Sequence, residues 1–325
     1  MLDIRPLNSE LQKIATEILQ ETQEKVEKEV PALKDWIRNS PHLRARTDEQ
    51  FLIAFLRFCH YDLEKAKEQI DAFYTLRTSI PEIINDRNPV NSRLRSLIRI
   101  GFGLPLPYTA TEGGPRYILI RPQVWNPNKY SMQDVFKVST MINDIQLRCD
   151  DNWVVAGQVG ILDLTGITRE HLMQLNPDLV NKMIMLSQDT YPIRQQAFHY
   201  INAPKGFEQV FSVFLSCMND ENKSKIHMHA SDLESFYKMV PRHLMPIEYG
   251  GDLYTINEVI REWEERIFYF RQYFEEEEQQ FGVDESKRSS KAVTPSKFFE
   301  VDDIENFLKS NTSGESSTCT RNSSQ

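Results

Sequence analysis

The stretch WVVAGQVGILDL, residues 153–164, is apolar at almost every position. A strand with one wet face alternates; a strand buried on both faces reads as one continuous apolar run. The run therefore predicts a central strand with layers packed on both sides. Short apolar runs recur around it: RYILIR (116–121) after the turn EGGP, QAFHYIN (196–202) and KIHMH (225–229). Helical periodicity fills the gaps. SMQDVFKVSTMINDIQLR starts a helix at Ser131, and Asn176 is placed to cap another with Pro177 at its first position. Strand–helix–strand repetition predicts an α/β domain with a mostly parallel sheet and right-handed crossovers.

Helical sequence flanks this domain. Leu7, Leu11, Ile14 and Ile18 keep a helical spacing, and Pro31 and Pro41 punctuate the segment that follows. TDEQ (47–50) reads as a capping box, and Asp62 as the cap of a helix whose Leu63, Ala66, Ile70, Phe73 and Tyr74 face one way. From Ile256 a long helix is expected, with Val259, Ile260, Trp263, Ile267, Phe270 and Phe274 in period, ending on EEEE (275–278) as a solvated acidic face. Beyond about Ser286 the chain has too little apolar surface to offset ordering entropy, so a disordered tail is expected. FFEVDDIENFL (298–308) is its one apolar patch.

One segment does not behave like a surface helix. PKGFEQVFSVFLSCM (204–218) places Phe207, Val210, Phe211, Phe214, Leu215 and Met218 on one stripe, yet its other side is hardly polar. A helix apolar nearly all round is buried or in lipid. At 15 residues it would span about 22 Å, short of the ~30 Å hydrocarbon core. Ordinary core packing and the wall of an apolar ligand site both remain open on this pattern. Met173, Met183, Met185, Met218 and Met228 add adaptable apolar surface.

Several function classes recede. A net charge of −9 argues against broad nucleic-acid binding. No run approaches the length of a membrane span, and no secretory leader or lipidation motif is read at the ends. Cys59, Cys149, Cys217 and Cys319 lie far apart without metal-like spacing, which favours a reducing, cytosolic compartment. The chain has no GxSxG, Walker A, GxGxxG or HExxH. Asp163 ends the central strand, where α/β enzymes often place an acid, but a polar strand end entering a turn explains it as well. His227 and His229 share a strand face, and no third ligand stands out, so no metal site is expected. The pairs at 113–114 and 250–251 read as turns rather than phosphate loops.

Five stretches in register resemble the CRAL-TRIO family. FLIAFLRFCHYDLEKA looks like its N-terminal helical motif, VWNP (124–127) like its W-D-P turn, and YINAP (200–204), KIHMH (225–229) and LMPIEYGGDL (244–253) like its later landmarks. The resemblance covers residues 45 to about 255. It implies an N-terminal helical region (1–95) and a lipid-binding α/β domain (96–255), to which the residue pattern adds a C-terminal helix (256–283) and a disordered tail (284–325). It implies a sheet that floors an apolar cavity closed by a mobile gate helix, which the 204–218 segment matches.

The function so implied is a carrier, not an enzyme. The expected partner is a small hydrophobic ligand of tocopherol, retinoid or isoprenoid type, moved between membranes without a cofactor or metal. Phe136, Leu162, Ile167, Leu186, Phe198, Val210, Phe211 and Phe214 are the expected pocket walls by position in the matching motifs. Ser139 and Asn143, on the Phe136 stripe, are the expected polar contacts, although Ser139 can equally bond its own helix. Arg194, Lys223 and Lys225 stand near positions that bind phosphoinositide headgroups in some family members, whereas Gln196, Glu221 and Cys59 depart from basic residues of the pattern. The expected protein is a cytoplasmic monomer that meets membranes, including phosphoinositide-containing ones, peripherally. Three alternatives stand beside it: a phospholipid exchanger, an α/β enzyme using Asp163, and an adaptor working through its acidic tail.

Overall fold

The computed structural model describes residues 2–168, 170, 171, 174, 178, 179, 182, 185–204, 211, 215, 220–229 and 231–289. Val210, Phe214, Asn176, Pro177 and most of 204–218 lie outside the described residues, as does 290–325.

The N-terminal region is helical: α1 (Ser9–Glu17), α2 (Gln23–Arg38), α3 (Glu49–Phe58), α4 (Leu63–Ser79), α5 (Pro81–Ile84) and α6 (Ser92–Ile98). Asp62 caps α4 by accepting from the Lys65 amide, as its position predicts. The TDEQ capping box does not form. Asp48 caps α3 instead, and Gln50 turns outward to accept from the Arg5 amide at 3.0 Å. Pro31 does not interrupt α2, which runs through it. Burial of Val26, Val30, Leu33 and Ile37 on one stripe outweighs the amide hydrogen bond that proline lacks.

The sheet follows, in the order β2 (Gly103–Pro105), β3 (Arg116–Ile120), β4 (Gln158–Asp163), β5 (Gln195–Ile201), β6 (Ile226–Met228). β3 to β6 are mutually parallel and β2 pairs antiparallel with β3. Helix α7 (Met132–Cys149) begins at Ser131 with a reciprocal capping box to Asp134. The continuous apolar run divides in two. Residues 152–156 make a buried helical turn, Gly157 reverses the chain at φ 90°, and the strand starts only at Gln158. Full burial removes the periodicity that separates strand from helix, so the run could not show this break.

The C-terminal helix also divides, at Phe270, into α10 (Ile256–Tyr269) and α11 (Arg271–Gln280); α8 (Asp220–Ser224) and α9 (Leu233–Tyr237) precede it. The EEEE run is not a solvated face throughout. Glu277 is 5% exposed and meets Arg46 and Arg77, while Glu278 accepts from the Asp86 amide at 3.0 Å. Arg77 is held by Asp144 through two nitrogens at 2.9 Å, and Arg87 and the Tyr191 hydroxyl reach the same carboxylate at 2.6 Å. This buried charge knot ties the helical region, the sheet domain and α11 together. The chain continues in order past the expected tail boundary. β7 (Gly282–Val283) pairs antiparallel with β1 (Leu43–Arg44), and Arg288 bonds Asp71.

Candidate functional site

The two faces of the sheet differ. Gly160 stands opposite Phe198 and Leu162 opposite Tyr200. Because side chains alternate, these four share one face, and Val159, Ile161, His199 and Ile201 share the other. The latter four are all buried. The Phe198 face carries its own apolar cluster, centred on Leu164, Tyr200 and Phe211, with Leu162, Ile167, Phe198, Ala203, Leu215 and Ile226 half-buried around it. Ile118 and Ile120 of β3, level with Gly160 and Leu162, are half-buried too.

Gly160 makes this face possible. A Cβ there would lie 2.6 Å from the Phe198 ring, so only glycine lets that ring lie across β4. Phe198 and Tyr200 then sit 5.0 Å apart, and Phe211 meets Tyr200 edge-on at 4.5 Å. The result is a floor of apolar side chains, half-buried at Leu162, Ile167 and Phe198.

Leu162, Ile167, Phe198 and Phe211, expected as pocket walls, meet in this cluster. Phe136 and Leu186 pack with the main core instead. The Ser139 hydroxyl donates to its own helix, to the Val135 carbonyl at 3.2 Å, and Asn143 lies half-buried one turn on. Tyr200, Leu164 and Gly160 were not singled out from sequence; Ile118, level with Gly160, packs against the main core as Phe136 does. Strand alternation from Phe198 and Leu162 points directly to Tyr200 and Gly160.

The expected headgroup cations are dispersed. Arg194 precedes β5, donates to the Val155 carbonyl, and its pKa is lowered by burial. Lys223 is exposed and pairs with Asp220 at 3.2 Å. Lys225 precedes β6 and its carbonyl accepts from the Phe198 amide. β6 begins level with Phe198, so Arg194 lies about three residues, ~10 Å, down the sheet from Lys225.

Asp163 sits at the C-terminal end of β4, beside a cavity of about 520 Å³ that Thr165, Asn202, Tyr237, Arg242, Glu248 and Tyr249 also line. Its Oδ1 accepts from the Thr165 amide (3.0 Å), the Thr165 hydroxyl (2.6 Å) and Asn202 (2.8 Å). Its Oδ2 accepts from Gln123 and the Tyr249 hydroxyl. Burial raises its pKa, but the bonds from Thr165, Tyr249 and Asn202 outweigh that and hold it below the usual value. A carboxylate offers about four lone-pair sites. Five donors fill them, so Asp163 knots the ends of β4 and β5 to the IEYGG turn and has no acceptor position left for a substrate proton. Among the described residues, no group of three or more His, Cys, Asp or Glu is arranged to hold a metal.

Comparison with known proteins places this arrangement. A profile of the CRAL/TRIO domain matches residues 107–251, and one described as a Pinta-like UBA domain matches residues 22–94. The alpha-tocopherol transfer protein-like protein of Homo sapiens is 30% identical over 242 residues, covering 73% of this chain and 70% of its own. This chain belongs to the CRAL/TRIO family. Clavesin-2 of Mus musculus is 21% identical over 241 residues, 72% of each chain. A crystal structure of Sfh5 superposes at a TM-score of 0.45 with 12% identity, covering 83% of this chain and 99% of that one. The CRAL/TRIO match starts just before β3 and ends at the IEYGG turn, so it contains the whole Phe198 face. Among the described residues of this CRAL/TRIO chain, no helix is long and apolar enough to cross a membrane.

Proposed function

We propose that this CRAL/TRIO protein carries a small hydrophobic ligand, of the tocopherol, retinoid or related isoprenoid type, against the Phe198 face of its sheet. The observation that carries the reading is that face itself: a second apolar cluster, separate from the main core, built over a glycine and only half-buried at Leu162, Ile167 and Phe198. The name of the tocopherol transfer protein-like relative points the same way. Covering about 400 Å² of apolar ligand surface is worth ~10 kcal/mol relative to water. A bilayer offers a similar gain, so the exchange between protein and membrane is nearly balanced and the barrier is passage through water.

Transfer by opening the 204–218 segment against a bilayer belongs to this reading and is supported by the sequence pattern and the family. Lys223 and Lys225 are the proposed contacts to anionic lipid, each worth about 1 kcal/mol near the surface; Arg194, engaged with Val155, is the weakest of the three. The proposed setting is cytoplasmic, peripheral to membranes, as a monomer and with no catalysis. The saturated hydrogen bonding of Asp163 supports this last point against the enzyme alternative. Mass spectrometry of an organic extract of purified protein, before and after incubation with a panel of tocopherols and retinoids, tests the reading. A co-purifying or captured isoprenoid is the expected result. Recovery of phospholipid alone would favour the exchanger, and no lipid at all would end the carrier reading.

A further inference from the structure

Three imidazoles from two neighbouring strands meet on the buried face of the sheet. His199 of β5 pairs in register with His227 of β6, and their rings stack at 5.0 Å. His229, just beyond β6, stacks on His199 at 5.2 Å and brings its Nε2 to 3.0 Å from His199 Nδ1. Its Nδ1 lies 2.8 Å from the Ser235 hydroxyl, which itself donates to the Asp232 carbonyl at 2.9 Å. His199 and His229 are 2% and 7% exposed, and Phe236 of α9 closes on both rings. Ile161 of β4 stands opposite His199, with Val159 and Asp163 on either side of it on the same face. The charged groups acting on His199 are the other two imidazoles; His229 feels His227 and Asp232.

The hydrogens follow from these partners. With the Ser235 hydroxyl donating to the Asp232 carbonyl, His229 Nδ1 is the donor to Ser235. A neutral His229 then has a bare Nε2, which accepts from His199 Nδ1–H. A single chain of donors runs from β5 through His229 to the cap of α9. One added proton leaves a cation among stacked imidazoles and apolar walls. Two put N–H against N–H across a 3.0 Å contact, which must open.

We propose that His199, His227 and His229 form an acid-sensitive latch that holds edge strand β6 on β5 at neutral pH and lets it loosen in mild acid. Among the described residues, β6 has three residues and one strand neighbour, and Ile226 packs in the apolar cluster of the opposite face. Burial first, then His227 and His229, pulls the His199 pKa down to about 4, and burial lowers that of His229. The unfolded chain takes up these protons near the ordinary value of about 6.5. The stabilisation is therefore complete above about 6.5 and is lost as pH falls toward about 4. The inference stands on strand and imidazole geometry and does not require that a lipid bind.

Amide hydrogen exchange on the full chain, corrected for the intrinsic pH dependence of exchange, tests it. Opening of residues 226–228 is expected to rise about tenfold or more between about pH 7.5 and pH 5. His229→Gln, whose amide still faces Ser235 and His199 but does not titrate, is expected to diminish that rise, with His199 left to supply the remainder. Equal opening at both pH values in the unaltered protein, or an undiminished rise in the variant, overturns the latch. Should the variant fail to fold, an NMR titration of the unaltered protein decides. His199 and His229 must titrate in step with the β6 amide shifts, and imidazole titration without an amide response overturns the proposal.

Discussion

Single atoms decide much of what this chain can do. Phe198 lies across β4 only because residue 160 has no Cβ. Gly160→Val is expected to push that ring off the strand, lowering stability by about 1–3 kcal/mol and weakening uptake of added tocopherol or retinoid more than Ile118→Val does. Thermal melts and fluorescence-monitored binding of both variants check this. Asp163 gives a contrasting case. Asp163→Asn places an NH₂ group where Gln123 or Tyr249 now donates, so it should cost about 1–3 kcal/mol in chemical denaturation while leaving ligand transfer per folded molecule unchanged. Because its folded pKa is lowered, the stabilisation from Asp163 is present above about pH 4 and lost as pH falls through the folded value. A large loss of transfer with intact stability would mean the carboxylate has a chemical role.

Secondary elements were legible where pattern and capping agreed. α7 starts at its Ser131 cap, and β3, β5 and β6 lie within a residue or two of their apolar runs. Legibility failed where several surroundings share one pattern. Full burial hid the helical turn at 152–156 inside a strand-like run, and an acidic run concealed the buried Glu277. Nor does sequence show that Arg77 of α4 and Arg87, just after α5, share the carboxylate of Asp144 on α7. Part of the apolar site was legible: Leu162, Ile167, Phe198 and Phe211 converge, whereas Phe136 and Leu186 join the main core, because periodicity gives the face of an element but not what that face meets. The charge knot makes its own prediction. Asp144 has its pKa lowered to about 2, because Arg77 and Arg87 outweigh burial; Glu277 is raised, burial prevailing. Asp144→Asn strands the buried Arg87 guanidinium and leaves Arg77 to the Glu277 carboxylate at 3.4 Å, and should cost about 3–5 kcal/mol. Glu277→Gln should cost much less, since Arg77 keeps Asp144 and Arg46 keeps Glu276. Urea titration of both variants distinguishes them, and equal losses would contradict this division.

At the scale of the molecule, the C-terminal end of the described chain is sewn onto the N-terminal helical region. β7 lies on β1, the Val283 amide donates to Thr78 at 3.0 Å, and Arg288 reaches both Asp71 and Thr75. A chain ending at Ser289 should melt like the full protein, whereas one ending at Gln280 loses these contacts. At about 2–4 °C per kcal/mol, that difference should be several degrees by calorimetry. The same seam sets a constraint on biogenesis. Leu43 cannot meet Val283 until every residue between them has left the ribosome. The helices around Leu43 therefore emerge long before this partner exists, and the seam closes among the last contacts of the fold.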